Sequence, residues 1–483
     1  MSKQYIIAFD QGTTSTRTIV FDKKGTIVAI DQREVKQHYP KGGWVEHDAM
    51  QIFNDQQETF HTVVKKVGLK PKEIAAIGIT NQRETAVVWD KNTGEPVYNA
   101  IVWLDKRTED ICENLREEGL ARQICKKTGL VIDSYFSATK VMWILDHVEG
   151  AREKAEAGDL LFGTIDSWLI WKFTGKHLTD HTNASRTMVY NIKDLEWDDE
   201  LLEAFNIPKS MLPKVQESSS LFGKIELDGE KIPICGVAGD QQAALFGQGG
   251  QKAGFAKNTY GTGCFMLLNT GKKPYFSKNG LLTTLCCTLP GGKVRYALEG
   301  SVFVGGAAVQ WLRDSMNIIE KAEETGEICS SIDPLEDLYM VPAFSGLGAP
   351  HWDGNAKGAI YGLTFNTGRK EIIKATVESM AYQVADVIKA MIEDSEKQMK
   401  ELRVDGGACA NNYLMQFQAD ILDADVDRPA MLEVTALGAA FLAGIKAGVW
   451  TKKEVLSLRE SEKVFKPKIT NHERKKKIHG WEM

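Results

Sequence analysis

The sequence predicts an α/β protein built from two domains, and three observations support this prediction. The chain has 483 residues, which is more than one hydrophobic core usually organises. Short apolar runs such as residues 74–79 alternate with long amphipathic segments such as residues 50–67, a pattern typical of helices packed on a sheet. A turn rich in glycine and hydroxyl side chains also follows an apolar run in each half of the chain. We therefore expect one domain over residues 1–248 and a second over residues 249–483.

The composition is that of an ordinary globular protein. Hydrophobic residues make up 43% of the chain and charged residues 26%, and the net charge is −6. Because nucleic-acid binding usually requires a basic face, we expect no nucleic-acid partner. The longest apolar stretch, residues 434–445, is shorter than a membrane span, so it predicts a buried helix and no membrane insertion. The eight cysteines form no C-x-x-C pair and no charged-then-apolar leader opens the chain, so we expect a cytoplasmic protein.

The first element is a predicted hairpin that could hold phosphate. The apolar residues 5–9 lead into Asp10, and a second apolar run covers residues 18–21. Between these runs stand Gly12, Thr13, Thr14, Ser15 and Arg17. Turn amides and hydroxyls can donate to phosphate oxygens, and an arginine adds positive charge. A single aspartate at a strand end beside phosphates also suits magnesium. The alternative is an ordinary glycine–threonine turn.

The second half repeats this pattern about 250 residues later. Residues 255–260 lead into Gly261, Thr262 and Gly263, and an apolar run follows. A third turn, with Gly406 and Gly407 after Asp405, precedes the helical run at residues 412–422 and leaves room for a base or ribose that Asn411 could bind. Each turn alone could be structural, but together they favour a nucleotide site. No G-x-x-x-x-G-K-[ST] motif and no strand-linked G-x-G-x-x-G motif supports a P-loop or a dinucleotide-binding fold.

Asp240 is the predicted catalytic base. Phosphoryl transfer needs an aligned nucleophile and a group that accepts its proton. Asp240 ends the apolar run at residues 234–239, where the sheet would bring it near Asp10, and we expect these two carboxylates at the metal. The alternative role is a helix cap for the residues that follow, and the two roles are compatible.

A substrate pocket is predicted from Arg83 and Glu84, which follow the apolar residues 77–79. The carboxyl ends of strands are a usual place for ligands in open α/β sheets. The alternative is an ordinary surface ion pair. Trp103 and Tyr135 are core aromatics by default.

Taken together, these motifs resemble the FGGY carbohydrate-kinase family, within the actin-like ATPase superfamily, over almost the whole length. The stretches that carry the resemblance are residues 10–17 (DQGTTSTR), 43–48 (GWVEHD), 81–85 (NQRET), 239–248 (GDQQAALFGQ), 257–265 (KNTYGTGCF), 341–353 (VPAFSGLGAPHWD) and 405–412 (DGGACANN). The resemblance implies two actin-like (ribonuclease H-like) domains, each a mixed sheet flanked by helices, with the active site in the cleft between them. It also implies phosphorylation of a terminal hydroxyl of glycerol by Mg-ATP, which yields sn-glycerol 3-phosphate.

By position in the motifs, the resemblance assigns two sets of residues. The polyol set is Gln82, Arg83, Glu84, Trp103, Tyr135, Asp240, Gln241 and Phe265, with Asp240 as general base. The nucleotide set is Thr13, Thr14, Ser15, Arg17, Thr262, Gly306, Gln310, Gly407 and Asn411. We expect glycerol and ATP as partners, and a homo-oligomer, either a dimer or a tetramer.

Two other functions remain open at this point. The chain could be a kinase of the same family that acts on another small polyol or a ketose, which would need a more open pocket than the aromatic residues suggest. It could also be a non-catalytic nucleotide switch of the actin-like class. Such a switch needs the phosphate hairpins but has no use for the predicted polyol set.

Overall fold

The computed structural model describes residues 4–483 and divides into two compact units. The first unit contains the chain up to Gly249, together with Thr284–Tyr296 and Val434–Leu458. The second unit contains Gly250–Thr283, Ala297–Glu433 and Arg459–Met483. The first unit is therefore discontinuous, because it includes two segments from the second half of the sequence.

The strands are short and are numbered here in chain order. The first fourteen are β1 (Tyr5–Gln11), β2 (Ser15–Phe21), β3 (Ile27–Glu34), β4 (Glu46–His47), β5 (Ile74–Asn81), β6 (Val87–Asp90), β7 (Ala100–Ile101), β8 (Leu160–Gly163), β9 (Leu178–Asp180), β10 (Tyr190–Asn191), β11 (Glu196–Trp197), β12 (Lys214–Gln216), β13 (Gly223–Leu227) and β14 (Glu230–Gly239). The remainder are β15 (Ala256–Tyr260), β16 (Cys264–Gly271), β17 (Leu282–Leu285), β18 (Tyr296–Val302), β19 (Tyr339–Val341), β20 (Ala359–Tyr361), β21 (Glu401–Asp405), β22 (Asp425–Pro429) and β23 (Ser461–Phe465).

The helices follow the same numbering. Those before residue 250 are α1 (Ala49–Val67), α2 (Glu109–Glu117), α3 (Ala121–Thr128), α4 (Ser137–His147), α5 (Ala151–Glu156), α6 (Ile165–Thr174), α7 (His181–Ala184), α8 (Asp199–Ala204) and α9 (Asp240–Gly247). Those after it are α10 (Gly306–Asp314), α11 (Glu324–Ser330), α12 (Arg369–Ser395), α13 (Asn412–Leu422), α14 (Val434–Ala447), α15 (Lys452–Ser457) and α16 (Asn471–Glu482). Short 3₁₀ turns lie at Pro71–Glu73, Lys209–Met211 and Gly407–Ala410.

The main sheet of the first unit has six strands in the order β13-β14-β5-β1-β2-β3. Its central strands β14, β5 and β1 are parallel, whereas the pairs β1–β2, β2–β3 and β13–β14 are antiparallel. The parallel strands are apolar along most of their length because helices cover both faces. One of these helices is α1, whose N-cap Asp48 accepts hydrogen bonds from two backbone N–H groups and whose C-cap Gly68 is left-handed.

The predicted buried helix at residues 434–445 is α14, and it packs against the sheet of the first unit. Its approach is close because glycines face it. A Cβ on Gly78 of β5 would lie 2.3 Å from the carbonyl oxygen of Ala439, and one on Gly236 of β14 would lie 2.5 Å from the amide nitrogen of Ala443. Glycine at these strand positions therefore lets helix backbone rest directly on the sheet.

The main sheet of the second unit has seven strands in the order β17-β18-β16-β15-β21-β22-β23. It repeats the arrangement of the first sheet, because β15 forms a hairpin with β16 and runs parallel to β21. The long helix α12 is buried along most of its length in the core of this unit. The prediction of two α/β domains with mixed sheets flanked by helices is confirmed. Over residues 4–483, no helix combines the length and the apolar character that crossing a bilayer requires.

Candidate active site

The candidate site of the first unit lies at the carboxyl ends of β1, β5 and β14. Gln11, Asn81 and Gly239 stand side by side in the register of these three parallel strands. The residues that follow each strand therefore lie at one edge of the sheet. They are the turn between β1 and β2, residues 82–85, and the start of α9 at Asp240. Open α/β sheets bind ligands at this position.

Asp10 and Arg17 form an ion pair at the base of the first hairpin. They are opposite each other in the antiparallel register, and Arg17 donates a hydrogen bond to Oδ2 of Asp10. The Asp10 side chain is almost fully buried, whereas Arg17 is partly exposed. The amide of Gly12 donates to the carbonyl of Ser15 at 2.9 Å, and Thr14 is exposed at the tip. The hydroxyl residues thus surround an exposed turn with a charged pair below it.

Arg83 is the buried cation at the centre of this edge. Its Nε lies 3.3 Å from Oδ1 of Asp240, and its NH1 group donates to Oε1 of Gln242 at 3.1 Å. Its NH2 group donates to the hydroxyl of Tyr135 at 3.5 Å. The side chain of Asp240 is 31% exposed, against 2% for Arg83. The guanidinium therefore stabilises negative charge on a carboxylate that a ligand can reach.

Glu84 lies beside Arg83 in an unusual backbone conformation. Its φ of 63° is in the left-handed region, and the hydroxyl of Ser137 donates to its carbonyl oxygen at 2.8 Å. Oε1 of Glu84 accepts a hydrogen bond from Nε of Arg186 at 2.5 Å, and Nε of Arg83 is 3.8 Å away. Two buried arginines therefore compensate one buried carboxylate.

Trp103 and Tyr135 pack next to these charges. Their ring centroids are 5.5 Å apart, and the rings meet edge to face. Nε1 of Trp103 donates to the hydroxyl of Thr13 at 2.9 Å. Both aromatic residues are partly exposed, unlike the fully buried core residues Trp89 and Trp168. They are therefore available to form the apolar wall of a pocket.

The two predicted glutamines have different surroundings. Gln82 donates from its backbone N–H to the carbonyl of Gln11 at 2.7 Å, and from Nε2 to the carbonyl of Gly12 at 3.0 Å. Gln241 donates from its backbone N–H to Oδ1 of Asp240 at 2.7 Å. Asp240 is the first residue of α9, and its N-cap is Gly239. Gln82 thus supports the hairpin, and Gln241 orients the predicted base.

The second unit carries its own polar edge at the ends of β15 and β21. Thr262 is exposed at the tip of the β15–β16 hairpin. Its carbonyl oxygen accepts hydrogen bonds from the amides of Gly305 at 2.8 Å and Ala307 at 3.1 Å, which fixes the turn to the start of α10. Gly306 begins that helix, and Gln310 is exposed one turn later.

Gly407 and Asn411 lie beside this hairpin, after β21. Asp405 at the end of β21 accepts a hydrogen bond from the hydroxyl of Thr259 at 2.6 Å. Gly407 is exposed. Asn411 is the N-cap of α13, where its Oδ1 accepts two backbone N–H groups, and its Nδ2 donates to the hydroxyl of Thr325 at 3.1 Å. Asn411 therefore has a structural role that the sequence prediction did not include.

Phe265 lies in β16 of the second unit, opposite Thr259, and is half-buried. Its role in an apolar wall for the substrate stays a prediction. The other predicted polyol residues all lie at the sheet edge of the first unit.

Sequence analysis missed Arg186 and Gln242, which contact Glu84 and Arg83 directly. Arg186 is fully buried, and its guanidinium lies 5.3 Å from the ring centroid of Phe136. The only sequence signal is an arginine within a run of small polar residues at 183–187. Such a run predicts a turn and gives no indication of a buried cation.

The donor set at the edge of the first unit fits a magnesium ion bound together with a nucleotide. Asp10 and Asp240 are placed by β1 and β14, which are separated by one strand. Magnesium typically takes one or two protein carboxylates and completes its shell with water and phosphate. Within residues 4–483, no group of three or more His, Cys, Asp or Glu side chains could hold a metal ion.

Comparison with known proteins gives a consistent set of relatives. The N-terminal domain model of the FGGY family of carbohydrate kinases matches residues 5–247, and its C-terminal domain model matches residues 256–447. A glycerol kinase of Alkaliphilus oremlandii is 58% identical over 485 residues, covering 99% of this chain and 96% of the relative. The crystal structure of Plasmodium falciparum glycerol kinase with ADP has a TM-score of 0.94 at 38% identity, covering 100% of this chain and 97% of that one. A ligand-bound xylulose kinase of Lactobacillus acidophilus has a TM-score of 0.89 at 25% identity, covering 99% and 96%.

The fold and the polar strand ends therefore define a kinase with two α/β domains. Because family models match most of its length and full-length relatives share more than half of its residues, the chain belongs to the FGGY family of carbohydrate kinases.

Proposed function

We propose that this chain transfers the γ-phosphoryl group of ATP to a terminal hydroxyl of glycerol, giving sn-glycerol 3-phosphate in glycerol catabolism. The observation that carries the proposal is the pair formed by Arg83 and Asp240, a buried guanidinium 3.3 Å from a partly exposed carboxylate. Similarity to proteins named glycerol kinase supports glycerol as the substrate.

The polyol binds to charged groups on one side and to aromatic rings on the other. Arg83 donates to a substrate hydroxyl and Glu84 accepts from one, while Gln82 and Gln241 complete the polar side. Trp103, Tyr135 and Phe265 contact the hydrocarbon edge of the substrate. A small ligand with hydroxyls on one edge and carbon on the other requires this combination of donors, acceptors and apolar surface.

Asp240 accepts the proton of the attacking hydroxyl. The hydroxyl oxygen then bonds to the γ-phosphorus, the bond from that phosphorus to the β–γ bridging oxygen breaks, and ADP leaves with the bond electrons. Arg83 holds the carboxylate of Asp240 in place through Nε, and Gln241 N–H fixes the same oxygen at 2.7 Å. Both contacts orient the base toward its exposed side.

The nucleotide is bound by residues of both hairpins. Thr13, Thr14, Ser15 and Arg17 donate to phosphate oxygens, as does Thr262. The small Gly306 and Gly407 allow close approach of the nucleotide to the backbone, and Gln310 and Asn411 bind the adenosine. Exposure of Thr14, Thr262, Gln310 and Gly407 supports these roles.

Asp10 and Asp240 would hold the magnesium of Mg-ATP, which would neutralise charge on the phosphates when bound. Arg17 pairs with Asp10 and therefore offsets the negative charge of this carboxylate before the nucleotide binds.

We also propose a cytoplasmic location, because the eight cysteines are all free thiols. A homo-oligomer, either a dimer or a tetramer, stays a prediction.

The test is a coupled ADP-release assay with glycerol, erythritol, xylulose and no acceptor. We expect the highest kcat/KM with glycerol and slow ADP release without an acceptor. A higher kcat/KM with xylulose or erythritol would favour the alternative, a kinase of the same family that acts on another polyol or a ketose. The similarity to the Lactobacillus acidophilus xylulose kinase supports this second candidate. ATP binding without turnover on any acceptor would favour a nucleotide switch.

A further inference from the structure

Asp180 is a fully buried carboxylate that the proposed reaction does not use. It ends β9 and is the N-cap of α7. Its two oxygens accept hydrogen bonds from the backbone N–H of Thr182 at 3.1 Å, the hydroxyl of Thr182 at 2.8 Å, the backbone N–H and Nδ2 of Asn183 at 3.0 Å each, and the hydroxyl of Ser218 at 2.6 Å. All five groups donate to the two oxygens of the Asp180 carboxyl group.

One branch of these hydrogen bonds leads to the predicted base. The hydroxyl of Thr182 donates to Asp180 and accepts from the backbone N–H of Gly239 at 2.9 Å. Because Asp180 fixes the hydroxyl proton, the lone pairs of Thr182 face Gly239. Gly239 is the last residue of β14 and directly precedes Asp240. A Cβ at Gly239 would lie 2.6 Å from Cδ of Arg83, so the arginine also packs on this residue.

The other branch leads to the polyol-binding segment. Nδ2 of Asn183 donates both to Asp180 and to Oδ1 of Asn81, the latter at 3.2 Å. Nδ2 of Asn81 donates back to Oδ1 of Asn183 at 2.9 Å and to the carbonyl of Gln82 at 2.9 Å. Asn81 is the last residue of β5, and Gln82 and Arg83 follow it. The two amides therefore form a reciprocal pair beneath the predicted substrate residues.

We propose that Asp180 is a positioning residue. It fixes the positions of the last residues of β14 and β5, and through them the positions of the base Asp240 and the polyol-binding Arg83. The inference rests on the proposed function, since it assigns Asp180 a role in that reaction. Thr182 and Asn183 are the two contacts through which it acts, and both are fully buried. Displacement of a base by about 1 Å can reduce a rate by about 100-fold, so small shifts at Gly239 change turnover.

The base branch is tested with Thr182→Val, which keeps the shape of the side chain but removes the hydroxyl. We expect kcat to fall by at least about tenfold while the KM for glycerol changes less than about threefold, because the substrate donors stay in place. Thr182→Ser restores the hydroxyl and is expected to recover most of kcat.

Thr179→Val is the matched control. The hydroxyl of Thr179 also donates to a buried aspartate, Asp166, at 2.7 Å, and Thr179 lies on the same strand, β9. Its loss is expected to lower Tm to a similar extent without changing kcat. Equal losses of kcat in Thr182→Val and Thr179→Val would overturn the proposal.

The binding branch is tested with Asn183→Ala, which removes the pairing with Asn81. Here we expect the KM for glycerol to rise more than kcat falls, whereas in Thr182→Val we expect kcat to change more than KM. Asn191→Ala is the control, since Nδ2 of Asn191 also donates to a buried carboxylate, that of Asp198, at 3.1 Å, and its other acceptor is Asp194 rather than a residue at either strand end. Identical changes of kcat and KM in Thr182→Val and Asn183→Ala would overturn the two-branch assignment.

Hydrogen exchange separates this inference from the proposed function. Exchange of the Gly239 amide is expected to be faster in Thr182→Val and normal in Thr182→Ser and Thr179→Val, whatever the substrate. Wild-type protein that does not release ADP with glycerol would overturn the proposed function alone. Unchanged exchange at Gly239 in Thr182→Val would overturn the positioning role even in an active glycerol kinase.

Discussion

The indole Nε1 of Trp103 donates a hydrogen bond to the hydroxyl of Thr13 at 2.9 Å. The sequence assigned these residues to different ligands, Trp103 to the polyol and Thr13 to the nucleotide. The bond couples the proposed polyol-binding ring to the proposed phosphate hairpin, so a change in either is expected to affect both substrates.

Trp103→Phe is expected to separate this coupling from the apolar wall. Phenylalanine keeps an aromatic ring but loses the donor, so we expect kcat/KM for ATP to fall by about three- to tenfold, the effect of one hydrogen bond. Trp103→Ala removes the ring as well and should raise the KM for glycerol further. Steady-state kinetics with each substrate varied in turn would measure both effects. Equal KM values for glycerol in the two variants would contradict the assignment of the ring to the wall.

The pairing of Glu84 with Arg186 predicts a strong stability effect. Arg186→Met removes the guanidinium that lies 2.5 Å from the buried carboxylate of Glu84, so we expect a loss of about 3 kcal/mol in unfolding free energy. Adding Glu84→Gln should recover part of it, because the uncompensated charge is then absent. Thermal unfolding of the four proteins of this double-mutant cycle is the measurement. Additive losses in the double variant would show that the two side chains do not interact.

Close packing of α14 on α9 predicts that Gly438→Ala destabilises the protein. In an exposed helix this change usually stabilises by about 1 kcal/mol. Here the new Cβ would lie 2.0 Å from the carbonyl oxygen of Ala243, so we expect a net loss of about 1–3 kcal/mol. Because α9 begins at Asp240, kcat should fall as well. Gly42→Ala is the control, since a Cβ there meets no atom within 4 Å. A higher Tm for Gly438→Ala would contradict this packing.

The buried Asp166 predicts a pH dependence of stability. Burial raises the pKa of Asp166 from 3.8 to about 7, and hydrogen bonds from Thr164 and Thr179 oppose the rise. Between pH 4 and pH 7 the folded state holds a proton that the unfolded state has released, so the unfolding free energy falls as the pH rises. The destabilisation is complete above the folded pKa.

Asp166→Asn removes this group, so the Tm of the variant minus that of the wild type should increase from pH 4 to pH 8. A flat difference for Asp166→Asn would show that the carboxyl does not change its protonation in this range.

Local signals were sufficient to predict individual elements of the fold. The predicted helical run at residues 412–422 is α13 (Asn412–Leu422), and the amphipathic segment at residues 50–67 is α1 (Ala49–Val67). Periodicity and the caps Asp48 and Gly68 are encoded within the segment itself, so they can be identified without knowledge of the rest of the chain.

The placement of α14 could not be predicted from such signals. Its small residues predicted burial, but they did not reveal that the helix packs in the first unit. That position depends on the matching glycines Gly78 and Gly236, which are more than 190 residues away in sequence. Complementary surfaces of this kind become visible only when the chain is folded.

For the candidate site as well, the sequence could predict some residues but not others. Residues at strand ends, such as Arg83 and Asp240, could be proposed because an apolar run predicts where each strand stops. The partners of those residues could not, because Arg186 is 102 positions from Glu84 and Gln242 is 159 positions from Arg83. A one-dimensional pattern does not encode a buried ion pair between such distant positions.

Asp240→Asn is the decisive variant for the proposal that Asp240 is the base of a phosphoryl transfer. The amide has nearly the same shape but cannot accept the hydroxyl proton, while Asp48→Asn changes an exposed helix cap in the same way and serves as the control. Glycerol-dependent ADP release and ATP binding would be measured on both variants and the wild type. We expect a loss of turnover of about 1,000-fold in Asp240→Asn with ATP affinity within about threefold of the wild type. Turnover within about tenfold of the wild type would contradict it.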